Sequence, residues 1–161
     1  MSVRLPVRDK HGATVAHALV DEADAPRLVS ARWHFRNAEG YLATRLPGGV
    51  VEALHRVVMG CTPGDGLVVD HVNGDRLDNR RENLRFVTTA QNAQNQGSRG
   101  GSSRYRGVTW DRARGRWLAQ ACLDGRVHHL GRFESEVAAA SAATEFRAVH
   151  MPYSEEARRA A

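Results

Sequence analysis

The sequence predicts an α+β protein of two small modules joined by a short linker, and three observations support this fold class. The middle of the chain reads as strand, long polar loop, strand and short helix, over residues 67–71, 72–83, 84–88 and 89–96. The second half reads as three strands and a helix, over residues 105–110, 116–123, 126–133 and about 135–150. Between these patterns lies a Gly- and Ser-rich stretch, residues 97–103, which is typical of a flexible linker.

The predicted organisation has five parts: a β-rich N-terminal region that braces the middle module, the middle module itself, the linker, the C-terminal module and a tail, over residues 1–53, 54–96, 97–103, 104–150 and 151–161. Within the first part, Asp24 and Pro26 predict a short helix that runs to about Trp33. Residues 40–45 are a predicted strand. Residues 52–59 carry apolar side chains at helical spacing and predict a second short helix.

Positive charge is concentrated in one segment. The chain has a formal net charge of +5, yet residues 97–133 contain eight arginines and two aspartates, a net charge of +6. The rest of the chain therefore sums to −1. Such a concentration predicts a surface that binds a polyanion.

Other function classes are disfavoured. Cys61 and Cys122 are far apart and fit no zinc-binding spacing, so two reduced thiols are expected. We expect no membrane span and no secretion signal, because no apolar run is long enough and the first residues lack an apolar stretch. The expected location is the cytoplasm of a bacterial or phage-infected cell.

The middle module carries the chemistry-bearing residues. Asp70 and His71 are adjacent at a predicted strand end, and Asn92 follows one strand and one helical turn later. A strand-loop-strand-helix hairpin can bring Asn92 back beside Asp70, and carboxylate and amide oxygens are ligands that Mg²⁺ accepts. His71 would point to the other side of the strand end, where it can take a proton from water.

The stretch LHRVVMGCTPGDGLVVDHVNGDRLDNRRENLRFVTTAQNAQN, residues 54–95, resembles the HNH endonuclease family, in its Asn-containing branch of phage and intron homing nucleases. The resemblance implies a ββα-metal hairpin, with His71 as general base and Asp70 as ligand of one divalent metal, Mg²⁺ or Mn²⁺. It implies that Asn83 ties the long loop through backbone hydrogen bonds and that Asn92 is the second metal ligand. All four count as candidate catalytic residues.

Each assignment has a structural alternative. Asp70 can merely cap the turn at Asn73 and Gly74, and Asn95 lies one turn after Asn92 on the same helix face. For His55 a packed or phosphate-contacting role is favoured over a catalytic one. The charged loop residues Asp75, Asp78, Asn79, Arg80 and Arg81 are expected to form a solvated turn, with Arg80 and Arg81 as candidate phosphate contacts.

The segment from Arg104 to about residue 149 resembles the AP2 DNA-binding domain, through YRGV (105–108), Trp117 and Ala119, HLGRF (129–133) and the alanine-rich helix. The resemblance implies a three-stranded sheet in the DNA major groove. The candidate DNA contacts are Arg104, Arg106, Thr109, Trp110, Arg112, Arg114, Arg116, Gln120 and His129. Thr109, Asp111 and Cys122 replace family arginines, so no base preference carries over, and Asp111 would repel a phosphate if it faced DNA.

Three functional hypotheses follow. The first is a metal-dependent, homing-type endonuclease that nicks double-stranded DNA with site preference, acting as a monomer. The second is a non-catalytic AP2-type regulator that keeps a vestigial nuclease fold. RNA binding is the weakest, because the chain shows no aromatic RNA-binding motif.

Overall fold

The computed structural model describes residues 1–38, 40–97 and 100–160, which form two compact units, Met1–Thr88 and Thr89–Ala161. The N-terminal unit consists of β1 (Ser2–Arg8), β2 (Thr14–Asp21), α1 (Ala25–Leu28), β3 (His34–Phe35), β4 (Leu42–Arg45), β5 (Val51–Ala53), α2 (Leu54–Val58), β6 (Val68–His71), a 3-10 helix (Arg81–Asn83) and β7 (Leu84–Val87). β1 pairs with β2, β4 lies between β3 and β5, and β6 pairs with β7, all antiparallel.

One core joins the first strands to the β6–β7 hairpin. Its larger buried members alternate along β1 and β2 and recur in the later elements: Leu5, Val7, Val20, Leu28, Trp33, Leu42, Leu54, Val58, Val69 and Leu84. Burial of each large apolar side chain contributes about 1.5–3 kcal/mol. The β6–β7 hairpin, whose first strand ends at Asp70 and His71, is therefore held in place by residues far away in sequence.

Two helices of this unit are shorter than the sequence pattern predicts. α1 ends at Leu28 and not near Trp33, because the chain turns so that Trp33 enters the core and its indole N–H donates to the Leu28 carbonyl (2.9 Å). α2 starts at Leu54, because Val51–Ala53 pairs with β4 and is committed to a sheet.

The C-terminal unit consists of α3 (Thr89–Gln94), β8 (Val108–Asp111), β9 (Arg116–Leu123), β10 (Arg126–Phe133), α4 (Glu136–His150) and α5 (Glu155–Ala160). β9 is the central strand of the antiparallel sheet. The alanines of α4 pack with Val108 and Ala119 of the sheet, since small side chains allow close approach. The Ser135 hydroxyl caps α4 by accepting from the Ala138 N–H.

The stretch expected to be a tail forms α5. The Ser154 hydroxyl accepts from the Ala157 N–H (3.1 Å), and Glu156 pairs with the buried Arg147 of α4 (2.6 Å). These two contacts give a short, polar helix a fixed place on α4.

The two units divide after Thr88, which puts α3 with the C-terminal sheet and not with β6 and β7. Arg106 donates to the carbonyls of Ala93 and Gln94 (2.9 and 2.7 Å), and the Gln94 amide oxygen accepts from the Tyr153 N–H (3.2 Å). Of the expected linker at 97–103, residues 98 and 99 lie outside the described residues. In the described part of the chain, no helix is long and apolar enough to cross a membrane.

Candidate active site and nucleic-acid interface

Asp70 and His71 are the last two residues of β6 and are both buried. Their register partners on β7 are Arg85 and Leu84. Because successive strand residues point to opposite faces, the two side chains enter different environments. The carboxylate meets Arg85, whereas the imidazole meets a polar and aromatic cluster.

The Asp70 carboxylate is held by a cross-strand ion pair. Arg85 Nε and Nη2 both donate to Asp70 Oδ2, at 3.0 and 2.8 Å. A carboxylate anchored in this way presents hard oxygen donors at a fixed place, which suits a divalent cation such as Mg²⁺. Among the described residues, no group of three or more His, Cys, Asp or Glu side chains is placed to hold a metal ion.

His71 is 4% exposed and lies beside Asn79, His55 and Tyr41. Its Nε2 is 3.2 Å from Asn79 Oδ1, and its ring centroid is 5.1 Å from that of His55 and 6.2 Å from that of Tyr41. Burial lowers the pKa of His71 below its ordinary value, although the hydrogen bond with Asn79 opposes this shift. At neutral pH the imidazole is therefore uncharged, which is the form that accepts a proton.

Asn83 connects the two ends of the loop between β6 and β7. Its amide oxygen accepts from the Asn73 N–H (2.9 Å), and its amide nitrogen donates to the Asp78 carbonyl (2.7 Å). Its own carbonyl accepts from the Val72 N–H (2.8 Å). The family resemblance implied a tie through backbone hydrogen bonds, and these are contacts of that kind.

The loop is not the solvated turn that its composition suggested, and that expectation is corrected for two of its residues. Asp78 is 4% exposed and Asn79 is 1% exposed. Asp78 accepts two hydrogen bonds from the Arg80 guanidinium, which hold the pKa of its carboxyl below the usual range. Asn79 lies inside because the loop backbone pairs with Leu19 of β2 on both sides.

The two loop arginines are engaged within the unit. Arg80 pairs with Asp78 and Glu82 (2.7 and 2.5 Å). Arg81 donates to the buried Asp24 carboxylate (2.8 and 2.9 Å). The positive charge of both arginines is therefore largely matched by protein carboxylates. That they contact DNA phosphates stays a prediction.

Tyr41, His55 and Arg76 lie around His71. The Tyr41 ring lies 5.4 Å from the His55 ring, and the Arg76 guanidinium lies 4.5 Å above the Tyr41 ring. Burial is the main cause that lowers the pKa of His55 to about 3, with smaller electrostatic contributions from His71, Arg56 and Arg36. His55 is thus a packed, neutral histidine. The sequence drew attention to His55, but nothing in the pattern marked Tyr41 or Arg76.

Asn92 lies in α3 and therefore belongs to the C-terminal unit. Its part in a metal site stays a prediction. Asn95, the alternative ligand, accepts a hydrogen bond from Arg158 of α5 (3.2 Å).

In the C-terminal sheet, register decides which candidate DNA contacts share a face. One face carries Val108 and Ala119, which pack under α4. The opposite face carries four of the candidates: Thr109, Arg116, Gln120 and His129. Trp110 is paired with Trp117 (ring centroids 5.0 Å apart) on the α4 side, away from that face.

The remaining candidates lie beside the sheet. Arg112 and Arg114 are in the β8–β9 turn, where Arg114 pairs with Asp111 (3.3 Å). Arg104 lies before β8, within 4.9 Å of the Tyr105 ring centroid. Arg106 is occupied by the last carbonyls of α3, to which its guanidinium donates.

Comparisons with known proteins bear on the middle of the chain, which contains Asp70 and His71. Residues 52–94 match the family model described as HNH endonuclease. The chain is also 39% identical, over 67 residues, to an uncharacterized HNH endonuclease of Acanthamoeba polyphaga mimivirus. That alignment covers 36% of this chain and 17% of the relative, so the chain spans about a sixth of the relative's length. No solved structure gives a significant match. Residues 52–94 are thus similar to the HNH endonuclease family.

Proposed function

We propose that this protein is a divalent-metal-dependent DNA endonuclease of the homing type, which nicks duplex DNA with site preference as a monomer. The observation that carries the proposal is the pair at the end of β6, inside the segment that matches the HNH family. Asp70 is anchored by Arg85, and His71 is held neutral and hydrogen-bonded on the other side of the strand.

His71 is the general base. A neutral imidazole takes a proton from water, the resulting hydroxide attacks phosphorus, and the bond to the 3′ oxygen breaks. Asn83 keeps the loop after β6 closed, so that the residues around the imidazole stay in place.

Asp70 and Asn92 would hold the metal, Mg²⁺ or Mn²⁺. When bound, it would supply positive charge for the phosphate and for the departing oxygen. One carboxylate and one amide leave coordination positions for water and phosphate oxygens, as Mg²⁺ prefers.

The C-terminal sheet binds the DNA major groove through the face that carries Thr109, Arg116, Gln120 and His129. Asp111 shares this face but is paired with Arg114 and Arg132 (3.3 and 3.0 Å). Its negative charge is therefore matched, and the face keeps its attraction for phosphates.

The test of catalysis is the nicking of supercoiled plasmid with Mg²⁺, with Mn²⁺ and with EDTA. Activity is expected with the metals only, and His71→Gln should lower it by about 10²–10⁴-fold while DNA affinity is kept. His17→Gln, an exposed histidine of β2, is the matched control. Binding without metal-dependent nicking would refute catalysis and favour the regulator hypothesis.

Metal titrations of nicking test the ligands. Asp70→Ala and Asn92→Ala should raise the metal concentration that gives half-maximal activity, whereas Asn95→Ala should do so much less. An Asn95 variant that behaves like the Asp70 variant would show that Asn95, and not Asn92, is the ligand from α3.

A salt series of binding isotherms tests the sheet. Arg116→Ala should reduce the slope of log K against log salt by about one unit. Arg4→Ala, an exposed arginine of β1, should leave the slope unchanged. Equal effects of both variants would show that the sheet is not the DNA anchor.

A further inference from the structure

In the hydrogen bond between His71 and Asn79, the donor and the acceptor can be assigned from the other contacts of the loop. The two polar atoms, His71 Nε2 and Asn79 Oδ1, are 3.2 Å apart, and both residues are buried. A neutral imidazole carries one proton, so one ring nitrogen donates and the other accepts. Which nitrogen donates depends on which end of the Asn79 amide faces the ring.

The orientation of the Asn79 amide is set by the hydrogen bond that its Nδ2 makes. Its Nδ2 donates to the Arg76 carbonyl (3.0 Å), a bond that only the NH₂ group can make. Oδ1 is therefore the atom that faces His71. Since an amide oxygen only accepts, His71 Nε2 must carry the proton.

The backbone of Asn79 is fixed as firmly as its side chain. The Leu19 N–H donates to the Leu77 carbonyl (2.7 Å), and the Asn79 N–H donates to the Leu19 carbonyl (2.8 Å). The loop thus continues the pairing of β2 at this point. The position of Asn79 therefore depends on backbone pairing with the β1–β2 hairpin, which lies outside the segment that matches the family.

We propose that Asn79 is a positioning residue that holds His71 in the tautomer with the proton on Nε2, so that Nδ1 is the atom that takes the proton from water. The proposal rests on the proposed nuclease function. When Nδ1 gains the proton, Nε2 keeps its hydrogen bond to Asn79, so the ring needs no reorientation during the reaction. Hydrogen bonds of this kind, made by the ring nitrogen that does not react, commonly fix the orientation of functional histidines.

Nitrogen-15 NMR of the full-length protein, with labelled histidine, reads the tautomer directly at about pH 7.5. His71→Gln assigns the resonances. In the wild type, Nε2 of His71 should be the protonated nitrogen. A protonated Nδ1 would overturn the inference without bearing on whether the protein cleaves DNA.

Variants then separate positioning from folding. Asn79→Ala should give a mixture of tautomers and lower the nicking rate by about 10–100-fold, with DNA affinity and the metal requirement unchanged. Asn79→Asp keeps an acceptor oxygen and should restore the Nε2–H tautomer. Asn73→Ala, an asparagine of the same loop that does not contact the ring, should leave the tautomer unchanged.

These outcomes distinguish the two proposals. A wild type that does not nick DNA, or a His71→Gln variant that nicks normally, refutes the proposed function and leaves the tautomer assignment intact. If Asn79→Ala keeps a single Nε2–H tautomer or a full nicking rate, Asn79 is not a positioning residue. If Asn79→Ala fails to fold, the tautomers of His71 in the wild type and in Asn79→Asp still test the proposal, because both are expected to carry the proton on Nε2.

Discussion

His55 should make the stability of the N-terminal unit depend strongly on pH. Its pKa is lowered from 6.5 to about 3, chiefly because the ring is buried against Tyr41 and His71. The unfolded chain therefore binds a proton more readily than the folded one. The stabilisation is complete above about pH 6.5 and is lost as the pH falls towards 3.

The magnitude follows from the shift. A difference of about 3.5 pH units, at roughly 1.4 kcal/mol per unit, amounts to about 5 kcal/mol over the whole range. Between about pH 7.5 and 4.5 the loss from His55 alone is about 3 kcal/mol. His55→Gln removes the titrating group. Between these two pH values, the unfolding free energy of the variant should therefore decrease less than that of the wild type, and the difference should equal the loss from His55.

Urea unfolding at the two pH values measures this difference. A Trp110→Phe, Trp117→Phe background leaves Trp33, buried in the N-terminal core, as the reporting fluorophore. The His55→Gln substitution also changes the unfolding free energy at neutral pH. This change cancels, because the unfolding free energy of each protein at one pH is compared with that of the same protein at the other pH. His17→Gln, on the exposed side of β2, is the control. Equal pH dependence of the His55→Gln and wild-type proteins would refute the argument from burial.

Two further predictions concern the packing around the sites. Asp24→Asn should destabilise the N-terminal unit by about 1–3 kcal/mol in urea unfolding, because the buried carboxylate accepts from both Arg27 and Arg81. Gly107→Ala should destabilise the C-terminal unit by at least about 1–3 kcal/mol, seen as faster hydrogen exchange of the β9 amides. Gly107 has a φ of +77°, and a Cβ there would lie 2.3 Å from the Gln120 carbonyl oxygen.

Matched variants control for these two substitutions. Glu22→Gln removes an exposed carboxylate near α1, and Gly97→Ala adds a Cβ where nothing lies within 4 Å. Both should be close to neutral. If Glu22→Gln costs as much as Asp24→Asn, the arginine contacts of Asp24 do not account for its effect.

Local patterns predicted the elements that local interactions determine. The bounds of β9 and β10 agree with the sequence prediction, because the strands are joined directly by the Asp124-Gly125 turn, where Asp124 has a φ of +50°. The start of α4 was likewise marked by its Ser135 cap. By contrast, α1 ends early because Trp33 is drawn into a core assembled from distant strands.

The candidate site shows the same division. Asp70 and His71 were found from their place at a strand end and from the family pattern. Asn79 and Tyr41 were not, because their roles depend on contacts with residues 8 to 60 positions away, such as the pairing of Asn79 with Leu19. Composition alone made Asn79 look like a solvated loop residue, whereas backbone pairing with β2 buries it.

The distribution of charge supports our proposal that DNA affinity comes mainly from the C-terminal unit. In the N-terminal unit, several arginines are paired with carboxylates of the same unit: Arg27 and Arg81 with Asp24, Arg56 with Glu52 and Asp65, Arg80 with Asp78, and Arg85 with Asp70. Residues 97–133 contain eight arginines against two aspartates, whereas the rest of the chain sums to −1. Because affinity for DNA grows with the number of phosphates neutralised, this excess charge supports the proposed binding of DNA by the C-terminal sheet. In the N-terminal unit, Arg85 instead holds Asp70 and Arg80 holds Asp78 of the loop after β6. This arrangement supports our proposal that one unit binds the duplex and the other carries out the chemistry.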